Sequence, residues 1–210
     1  MSDPFAWSRL IEARRAFRRE LGSFWSLPLV RKAEDVVVKA SVSGCSVLDV
    51  GAGSRSLEKT LLERVGQVRY VSVDPDPERP NDFQLLEEVE GRFDVIACLE
   101  VIEHLPAEEA VALLRGMRDR LLPAGRLVLS TPNVMNPTAF LTTIDHRTPF
   151  AWDEVGGVLT LLGYRVVRMV RVKNDPWLRR VGRCLIRPLH RILGIDFARS
   201  IAVVAVRGGG

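Results

Sequence analysis

The chain has 210 residues, of which 47% are hydrophobic, and a formal net charge of +4 at pH 7. This length fits one α/β domain with extensions, and the hydrophobic content is sufficient for a core and argues against disorder. The positive charge does not by itself indicate nucleic-acid binding, because the excess arginine lies mainly toward the two ends. No apolar run approaches the ~20 residues that a membrane-spanning helix needs.

The cysteines and the N-terminal residues indicate a reducing compartment. Cys45, Cys98 and Cys184 are scattered, and two of them lie in apolar runs. That placement is typical of small core residues and not of disulfides or a metal cluster. The first residues lack the charged and apolar regions of a secretory signal, so we expect a cytoplasmic protein.

Helical spacing of apolar residues predicts an N-terminal helix over residues 5–21 and a second helix over residues 30–42. The first helix either packs on the domain or forms a lid that gathers substrate. We expect a single domain over residues 1–210. It comprises a helical extension (1–42), a core (43–172), a basic amphipathic insertion (173–198) and a last strand (199–207).

The stretch Val47–Gly53 is an apolar run that ends in an acid and two glycines, and a helical pattern follows from Leu57. It predicts a strand, a glycine turn and a helix, the first unit of a doubly wound α/β sheet. Glycine lets a ligand approach the backbone, and the helix N-terminus offers free N–H groups. The next predicted strand, residues 68–73, ends at Asp74, where an acid accepts hydrogen bonds from a ribose or simply begins a turn.

The segment from Pro75 to Gly91 is short and contains three prolines, so we expect a truncated third βα unit. Strands are then predicted at 93–99, 126–130, 166–172 and 201–206. Helices are predicted at 110–121, closed by a turn at 123–125, and at about 152–163. The predicted fold class is α/β, a doubly wound and mostly parallel seven-stranded-type sheet with a C-terminal antiparallel strand.

Five segments resemble the class I S-adenosylmethionine-dependent methyltransferases: VLDVGAG, YVSVD, FDVIACLEVIEHL, LLPAGRLVLSTPN and DEVGGVLTLLGYRVV. Their common order and spacing carry the resemblance, which extends from about Val47 to Val206. The acid two residues before the first glycine is usually lacking in the dinucleotide pattern. An NAD-dependent oxidoreductase is therefore the least favoured class.

The resemblance implies that S-adenosylmethionine is bound by Asp49, Gly51, Ala52, Gly53, Ser54, Asp74, Pro75, Leu99 and Glu100. It implies that Asp49 orients the turn or binds the amino group through water, that Asp74 holds the ribose, and that the backbone near Leu99 lines the methionine side. Arg55 departs from the family, which usually has a third glycine at this position. The departure matters because arginine, unlike glycine, cannot adopt a positive φ cheaply. Either the turn differs and Arg55 points out of the site, or cofactor affinity is weakened.

Methyl transfer depends largely on alignment, and a hydroxyl acceptor must also lose its proton. His104 and His146 are the candidate general bases. One helical turn would orient Glu100, Glu103 and His104 together, and with His146 this set resembles the divalent-metal site of small-RNA 2′-O-methyltransferases. Its first part resembles the ubiquinone-biosynthesis O-methyltransferases. The set suits Mg²⁺, Mn²⁺ or Zn²⁺. A metal is not favoured, however, because the Glu-His pair is widespread in methyltransferases without one.

Residues 177–193 combine apolar spacing with arginines and predict a basic amphipathic helix. It either caps the domain, pairs in a dimer, or docks on an anionic membrane. The predicted function is O-methylation of a small-molecule, glycan or lipid-linked acceptor by a cytoplasmic enzyme. If the basic helix docks on a membrane, the enzyme is expected to lie at the inner membrane face. The alternative is a catalytically silent domain that binds a membrane or a partner. RNA 2′-O-methylation is a lesser alternative and nucleic acid is not an expected partner, since no RNA-binding module or aromatic platform is evident.

Overall fold

The computed structural model describes residues 7–173 and 190–208. In these ranges the helices are α1 (Trp7–Leu21), α2 (Glu34–Ala40), α3 (Ser56–Arg64), α4 (Ala107–Asp119), α5 (Pro137–Leu141) and α6 (Trp152–Leu161). The strands are β1 (Leu29–Val30), β2 (Ser46–Val50), β3 (Arg69–Val73), β4 (Phe93–Leu99), β5 (Leu121–Pro132), β6 (Tyr164–Val172) and β7 (Ser200–Arg207).

The strands form one seven-stranded sheet in the order β1-β6-β7-β5-β4-β2-β3. Strand β7 is antiparallel to β5 and β6, and the other neighbouring pairs are parallel. This confirms the predicted mostly parallel sheet with an antiparallel C-terminal strand. The carboxyl ends of β2, β3, β4 and β5 therefore meet at one edge, which is where open α/β sheets bind ligands.

The third βα unit is truncated, as predicted. Residues between β3 and β4 contain one 3₁₀ turn (Leu86–Glu88) and a single isolated parallel bridge from Val73 to Phe83. The sheet reaches seven strands at its other edge, where β1 pairs in parallel with β6 through Leu29 and Arg171. The helix predicted over 30–42 is therefore wrong at its start, and α2 begins only at Glu34.

The two faces of the sheet are covered by different helices. On one face α2 and α3 contribute Val37 and Leu61, both fully buried, to a core with the side chains of β2 and β4. On the other face α1, α4 and α6 contribute Phe17, Leu114 and Leu159 to the larger core. Burial of such side chains from water is the main stabilising contribution to this layered arrangement.

The N-terminal helix packs closely on α6. A Cβ added at Gly156 would overlap the ring of Phe17, so the two helices approach through a position that has no side chain. Beside it the carboxylate of Asp153, a residue 1% exposed, accepts hydrogen bonds of 2.9 Å from Arg14 and 2.7 Å from Arg18. These contacts hold α1 against α6.

The turn predicted at residues 123–125 lies inside β5. Leu121 pairs with Phe93 and Arg126 with Val95, so the strand carries a bulge in which Ala124 takes a φ of 63°.

In residues 7–173 and 190–208, no helix is long and apolar enough to cross a bilayer. Most of the predicted basic helix at 177–193 lies outside the described residues. Only a helical turn at 190–193 is described there.

Candidate active site

The glycine turn follows β2 at the carboxyl edge of the sheet. The backbone N–H groups of Gly51 and Ala52 donate to the carbonyl of Val73, at 2.8 and 3.1 Å. Gly51 has a φ of 75°, and a Cβ there would overlap Cγ2 of Val101. Glycine is thus required by its own backbone conformation and by the side chain that follows β4.

Asp49 lies beneath the turn, where it is 4% exposed. Its Oδ2 accepts a hydrogen bond of 2.5 Å from the hydroxyl of Tyr70 on the neighbouring strand. Burial raises the pKa of Asp49 to about 6, the hydrogen bond from Tyr70 opposes the rise, and the nearby charge of Asp74 adds to it. A cation bound beside Asp49 would favour its ionised form.

Asp74 joins the end of β3 to the glycine turn. Its Oδ2 accepts from the N–H of Gly53 at 2.7 Å, and its Oδ1 accepts from the N–H of Asp76 at 3.0 Å. The carboxylate therefore lies at the glycine turn and also begins the turn that follows β3. Its contact with a ribose stays a prediction.

A cavity of about 250 Å³ lies against the glycine turn. Its walls come from α2, β2, α3 and β4, and they are formed by Ala33, Glu34, Asp49, Gly51, Ala52, Ser56, Leu57, Leu99 and Glu100. Three of these side chains are carboxylates. Such a wall attracts a cation and repels a pyrophosphate, so the charge of the cavity fits a sulfonium cofactor and not a dinucleotide.

Arg55 takes the left-handed conformation that the family's third glycine would take, with a φ of 58°. Its guanidinium points to Glu58 and Asp82, with N–O distances of 3.0 Å to each carboxylate. The predicted alternative of an outward-pointing arginine thus describes its side chain, whereas the backbone keeps the glycine-like conformation.

A 3₁₀ turn at Ile102–His104 follows β4 and contains a buried acid. Glu103 is fully buried, and its Oε2 accepts a hydrogen bond of 3.1 Å from Thr131. Its Oε1 has no hydrogen-bond partner among the residues that the structure describes. Burial raises the pKa of Glu103 to about 8, and the charge of Glu100 adds to the rise.

His104 and His146 lie side by side at this turn. The backbone N–H groups of Arg147 and Thr148 donate to the carbonyl of Glu103 at 2.7 and 3.1 Å, which holds the loop after α5 against the turn. The two imidazole centroids are 4.9 Å apart at an interplanar angle of 69°. One ligand atom from each of Glu103, His104 and His146 lies within 4.8 Å of the others.

The partner of the His146 ring indicates which of its nitrogens is free to take a proton. Nδ1 of His146 is 2.9 Å from the carbonyl of Phe140. A carbonyl only accepts, so Nδ1 carries the hydrogen and Nε2 is the basic atom of the neutral ring. Nδ1 of His104 is 3.0 Å from a carboxylate oxygen of Asp145, close enough for an ion pair when the ring is protonated, but this atom has no hydrogen-bond partner among the described residues, so the contact does not assign the tautomer of His104.

Glu100 does not join this group, so the expectation of one helical turn that orients all three side chains is wrong. Glu100 follows β4 with a φ of 56°, outside the helical region. Its carboxylate accepts from the hydroxyls of Ser130 and Ser200, at 2.7 and 3.1 Å. It lines the cofactor-side cavity instead, and desolvation raises its pKa.

A second, mainly apolar cavity of about 400 Å³ lies between α1, α4 and α6. Leu10, Val111, Phe150 and Val158 line it, together with Thr148. The hydroxyl of Thr148 donates to the carbonyl of Leu105 at 2.6 Å, so this cavity adjoins the turn that carries His104.

A sequence model of the methyltransferase domain family matches residues 11–165, which is more than half of the chain. The chain belongs to the S-adenosylmethionine-dependent methyltransferases.

Among curated proteins, this methyltransferase is 29% identical over 123 residues to the ubiquinone biosynthesis O-methyltransferase of Pseudomonas paraeruginosa. The matched region covers 50% of this chain and 52% of that protein. It is 28% identical over 130 residues to the enzyme of the same name from Xanthomonas euvesicatoria pv. vesicatoria, covering 54% of this chain and 53% of the relative. The chain thus spans about half the length of the curated relatives it matches.

Solved structures share the fold of the methyltransferase. A SAM-dependent methyltransferase from Archaeoglobus fulgidus superimposes with a TM-score of 0.62 at 18% identity, covering 94% of both chains. The magnesium protoporphyrin IX methyltransferase of Synechocystis PCC 6803, crystallised with bound SAM, gives a TM-score of 0.56 at 20% identity over 83% of this chain and 78% of that one.

The structure groups most of the predicted cofactor residues of the methyltransferase at the carboxyl edge. Five of them line the cavity against the glycine turn: Asp49, Gly51, Ala52, Leu99 and Glu100. The backbone N–H of Gly53 donates a hydrogen bond to Asp74. Ser54 and Pro75 are exposed beside the same turns.

Other neighbours of the cofactor-side cavity were missed by the sequence reasoning. Glu34 belongs to a short helix without a motif, and the contact of Tyr70 with Asp49 depends on strand register. The sequence offers one indication that Tyr70 lies near the site, because it belongs to the strand that is followed by Asp74.

Proposed function

We propose that this methyltransferase transfers a methyl group from S-adenosylmethionine to an oxygen atom of a small-molecule, glycan or lipid-linked acceptor. The observation that carries the proposal is the cavity against the glycine turn, whose wall holds the carboxylates of Glu34, Asp49 and Glu100. The bound cofactor supplies an electrophilic methyl group on a positively charged sulfur. The three carboxylates bind its cationic portion, and Asp74 accepts from the ribose hydroxyls.

The protein's own part in the reaction is alignment and removal of a proton. Nε2 of either His104 or His146 accepts the proton of the acceptor hydroxyl. Asp145, 3.0 Å from Nδ1 of His104, then stabilises the imidazolium that forms there. The two rings adjoin the fully buried Glu103.

The acceptor class rests on the relatives and on the second cavity. The matched curated proteins are named for O-methylation in ubiquinone biosynthesis, which supports an oxygen acceptor. The apolar cavity beside the His104 turn gives room for a hydrophobic part of the acceptor. RNA 2′-O-methylation remains a lesser alternative.

Transfer of a tritiated methyl group tests this function. Purified protein would be incubated with labelled S-adenosylmethionine and matched phenolic or sugar acceptors, each with and without an alkyl tail. We expect label in an oxygen-linked methyl group. Label on nitrogen or carbon would overturn the O-methylation proposal. Cofactor binding without transfer to any acceptor would favour a silent domain.

A divalent metal at Glu103, His104 and His146 is a second candidate feature. It is favoured by three converging ligand atoms within 4.8 Å and by the buried Oε1 of Glu103, which lacks a partner among the described residues. A metal held there would acidify an acceptor hydroxyl. Calorimetry with Mn²⁺ tests it: Glu103→Gln should abolish binding and Glu100→Gln should retain it. An absence of binding, with turnover unaffected by a chelator, would end the metal proposal.

Contact with an anionic membrane through residues 177–193 is a third proposal, and it concerns where a lipid-linked acceptor is met. In the described part of this segment, Ile192 and Leu193 are 82% and 59% exposed. The arginines of the segment would add attraction to acidic lipid. Flotation with liposomes tests it. Recovery should rise with acidic lipid and fall on Arg179→Gln with Arg183→Gln, and equal recovery with and without acidic lipid would count against it.

A further inference from the structure

Arg55 connects the glycine turn to the remnant of the third βα unit. It precedes α3 with a φ of 58° and a ψ of 28°, a conformation that side-chain-bearing residues rarely adopt. Glycine would occupy this conformation freely, so an arginine here has to be held by its contacts.

The guanidinium of Arg55 makes those contacts on two sides. Nε donates to Glu58 in the first turn of α3 at 3.0 Å, and Nη1 donates to Oδ1 of Asp82 at 3.0 Å. The guanidinium carbon also lies 5.4 Å from the ring centroid of Tyr70, within cation–π range. The side chain thus spans from the glycine turn to a loop 27 residues away in the sequence.

Asp82 is fully engaged in this arrangement. Its Oδ2 accepts from the backbone N–H and the hydroxyl of Ser72, at 2.8 and 2.9 Å, while Oδ1 faces Arg55. The adjacent Phe83 forms the isolated bridge to Val73. Asp82 is therefore a clamp between β3 and the glycine turn, and its carboxylate is not directed to a ligand.

Asn81 is the residue of this loop that faces the glycine turn. Its Nδ2 donates to the carbonyl of Gly53 at 3.2 Å. Its Oδ1 is buried and has no hydrogen-bond partner among the described residues. The N–H of the same Gly53 donates to Asp74, so Asn81 and Asp74 flank one residue of the turn. A buried acceptor without a donor is costly unless a ligand supplies one.

We propose that Arg55 is a positioning residue for the cofactor. Through Asp82 it holds the loop of residues 81–83 against the glycine turn, and this presents Oδ1 of Asn81 as an acceptor to the nucleoside half of the cofactor. The proposal rests on the proposed function only in that S-adenosylmethionine is the cofactor. Arg55 thereby strengthens cofactor binding, in contrast to the weakening that its departure from glycine suggests.

Calorimetry with S-adenosylhomocysteine tests the proposal. Arg55→Gly should weaken binding by about tenfold, the loss expected for a charge-assisted contact, while the melting temperature stays equal or rises because glycine tolerates this φ. Asn81→Ala should weaken binding by a similar factor. Arg64→Ala is the matched control, since it removes another ion pair of α3, 2.6 Å from Asp35, without touching the turn.

A cycle with Asp82→Asn locates the effect. The loss in Arg55→Gly and the loss in Asp82→Asn should overlap in the double variant, because both break the same clamp. Each variant should lose the same factor in affinity for 5′-methylthioadenosine as for S-adenosylhomocysteine, because 5′-methylthioadenosine has the nucleoside half without the amino-acid portion. If Arg55→Gly does not fold, Asp82→Asn and Asn81→Ala carry the test.

Three outcomes separate this proposal from the proposed function. If Arg55→Gly and Asp82→Asn bind S-adenosylhomocysteine as tightly as the wild type, the proposed role of Arg55 is overturned and the proposed function is not. Losses that are fully additive in the double variant would also overturn it. An absence of binding by the wild-type protein would overturn the proposed function itself, and the clamp with it.

Discussion

The imidazole rings of His104 and His146 meet edge to face with their centroids 4.9 Å apart, although they come from a turn after β4 and a loop after α5. The loop is held there by two hydrogen bonds to the carbonyl of Glu103. Nδ1 of His146 donates to the carbonyl of Phe140, which leaves Nε2 of that ring free to take a proton, and His104 has the carboxylate of Asp145 beside its own Nδ1 at 3.0 Å.

Removing the base should slow methyl transfer without affecting cofactor binding. We expect His104→Gln or His146→Gln to lower kcat by about 10²–10⁴-fold, the usual contribution of a general base. The dissociation constant of S-adenosylhomocysteine should be unchanged. His190→Gln, in a different part of the structure, is the control. Wild-type kcat in both site variants would contradict a base at this pair.

The buried Asp49 should make stability depend on pH. Its pKa is about 6 in the folded protein, against an ordinary value of 3.8 in the unfolded chain, so the folded state retains a proton that the unfolded state loses. The contribution of the Asp49 carboxyl to the free energy of unfolding is fully present below pH 3.8 and is lost as the pH rises through about 6. The shift corresponds to about 3 kcal/mol.

Urea unfolding of the wild type and Asp49→Asn measures this dependence. The difference in unfolding free energy between the two proteins should change by about 2–3 kcal/mol between pH values of about 4 and about 7.5. Asp94→Asn should show a dependence of the opposite sign at pH values below about 4, because hydrogen bonds from Ser46 lower the pKa of Asp94 from its ordinary value of 3.8. Parallel curves for wild type and Asp49→Asn would show that Asp49 is not perturbed.

Substitution of the two glycines of the turn should have unequal effects. Gly51→Ala introduces a Cβ that overlaps Val101 at a φ of 75°, and we expect it to lower stability by about 2–4 kcal/mol. Gly53→Ala meets nothing within 4 Å and should lower it by only about 1 kcal/mol. Thermal and urea unfolding compare them. Equal losses would mean that Val101 does not confine the turn.

The attachment of α1 should depend on Asp153. Asp153→Asn leaves Arg14 and Arg18 facing a neutral amide in a buried position, and we expect a loss of about 2 kcal/mol. Glu154→Gln is the matched control, because its contact with Arg14 is 3.7 Å and part-exposed, and it should lose less than about 1 kcal/mol. A control loss as large as that of Asp153→Asn in urea unfolding would contradict this account.

The sequence predicts most of the sheet because its strands and helices carry strong periodicity. The two-residue strand β1 was not predictable, since two residues have no pattern and their pairing with β6 depends on tertiary contact. The proline-containing segment inside β5 indicated a turn, yet flanking pairs with β4 keep it in the strand as a bulge.

The candidate site was predictable in composition but less so in geometry. The spacing of Glu100, Glu103 and His104 fits a helical turn, but the positive φ of Glu100 directs its carboxylate to Ser130 and Ser200 instead. The conformation of Arg55 likewise depends on Asp82, a partner distant in the sequence, which a local pattern does not contain.

Above all, we propose that the acidic cavity beside Asp49-Val-Gly-Ala-Gly53 binds a sulfonium cofactor. Thermal unfolding with S-adenosylmethionine, S-adenosylhomocysteine or NAD is the sharpest test of this binding. At about 100 times the dissociation constant, the first two should raise the melting temperature by roughly 5–10 °C, and NAD should not. A shift with NAD, or no shift with either S-adenosyl compound, would contradict the account.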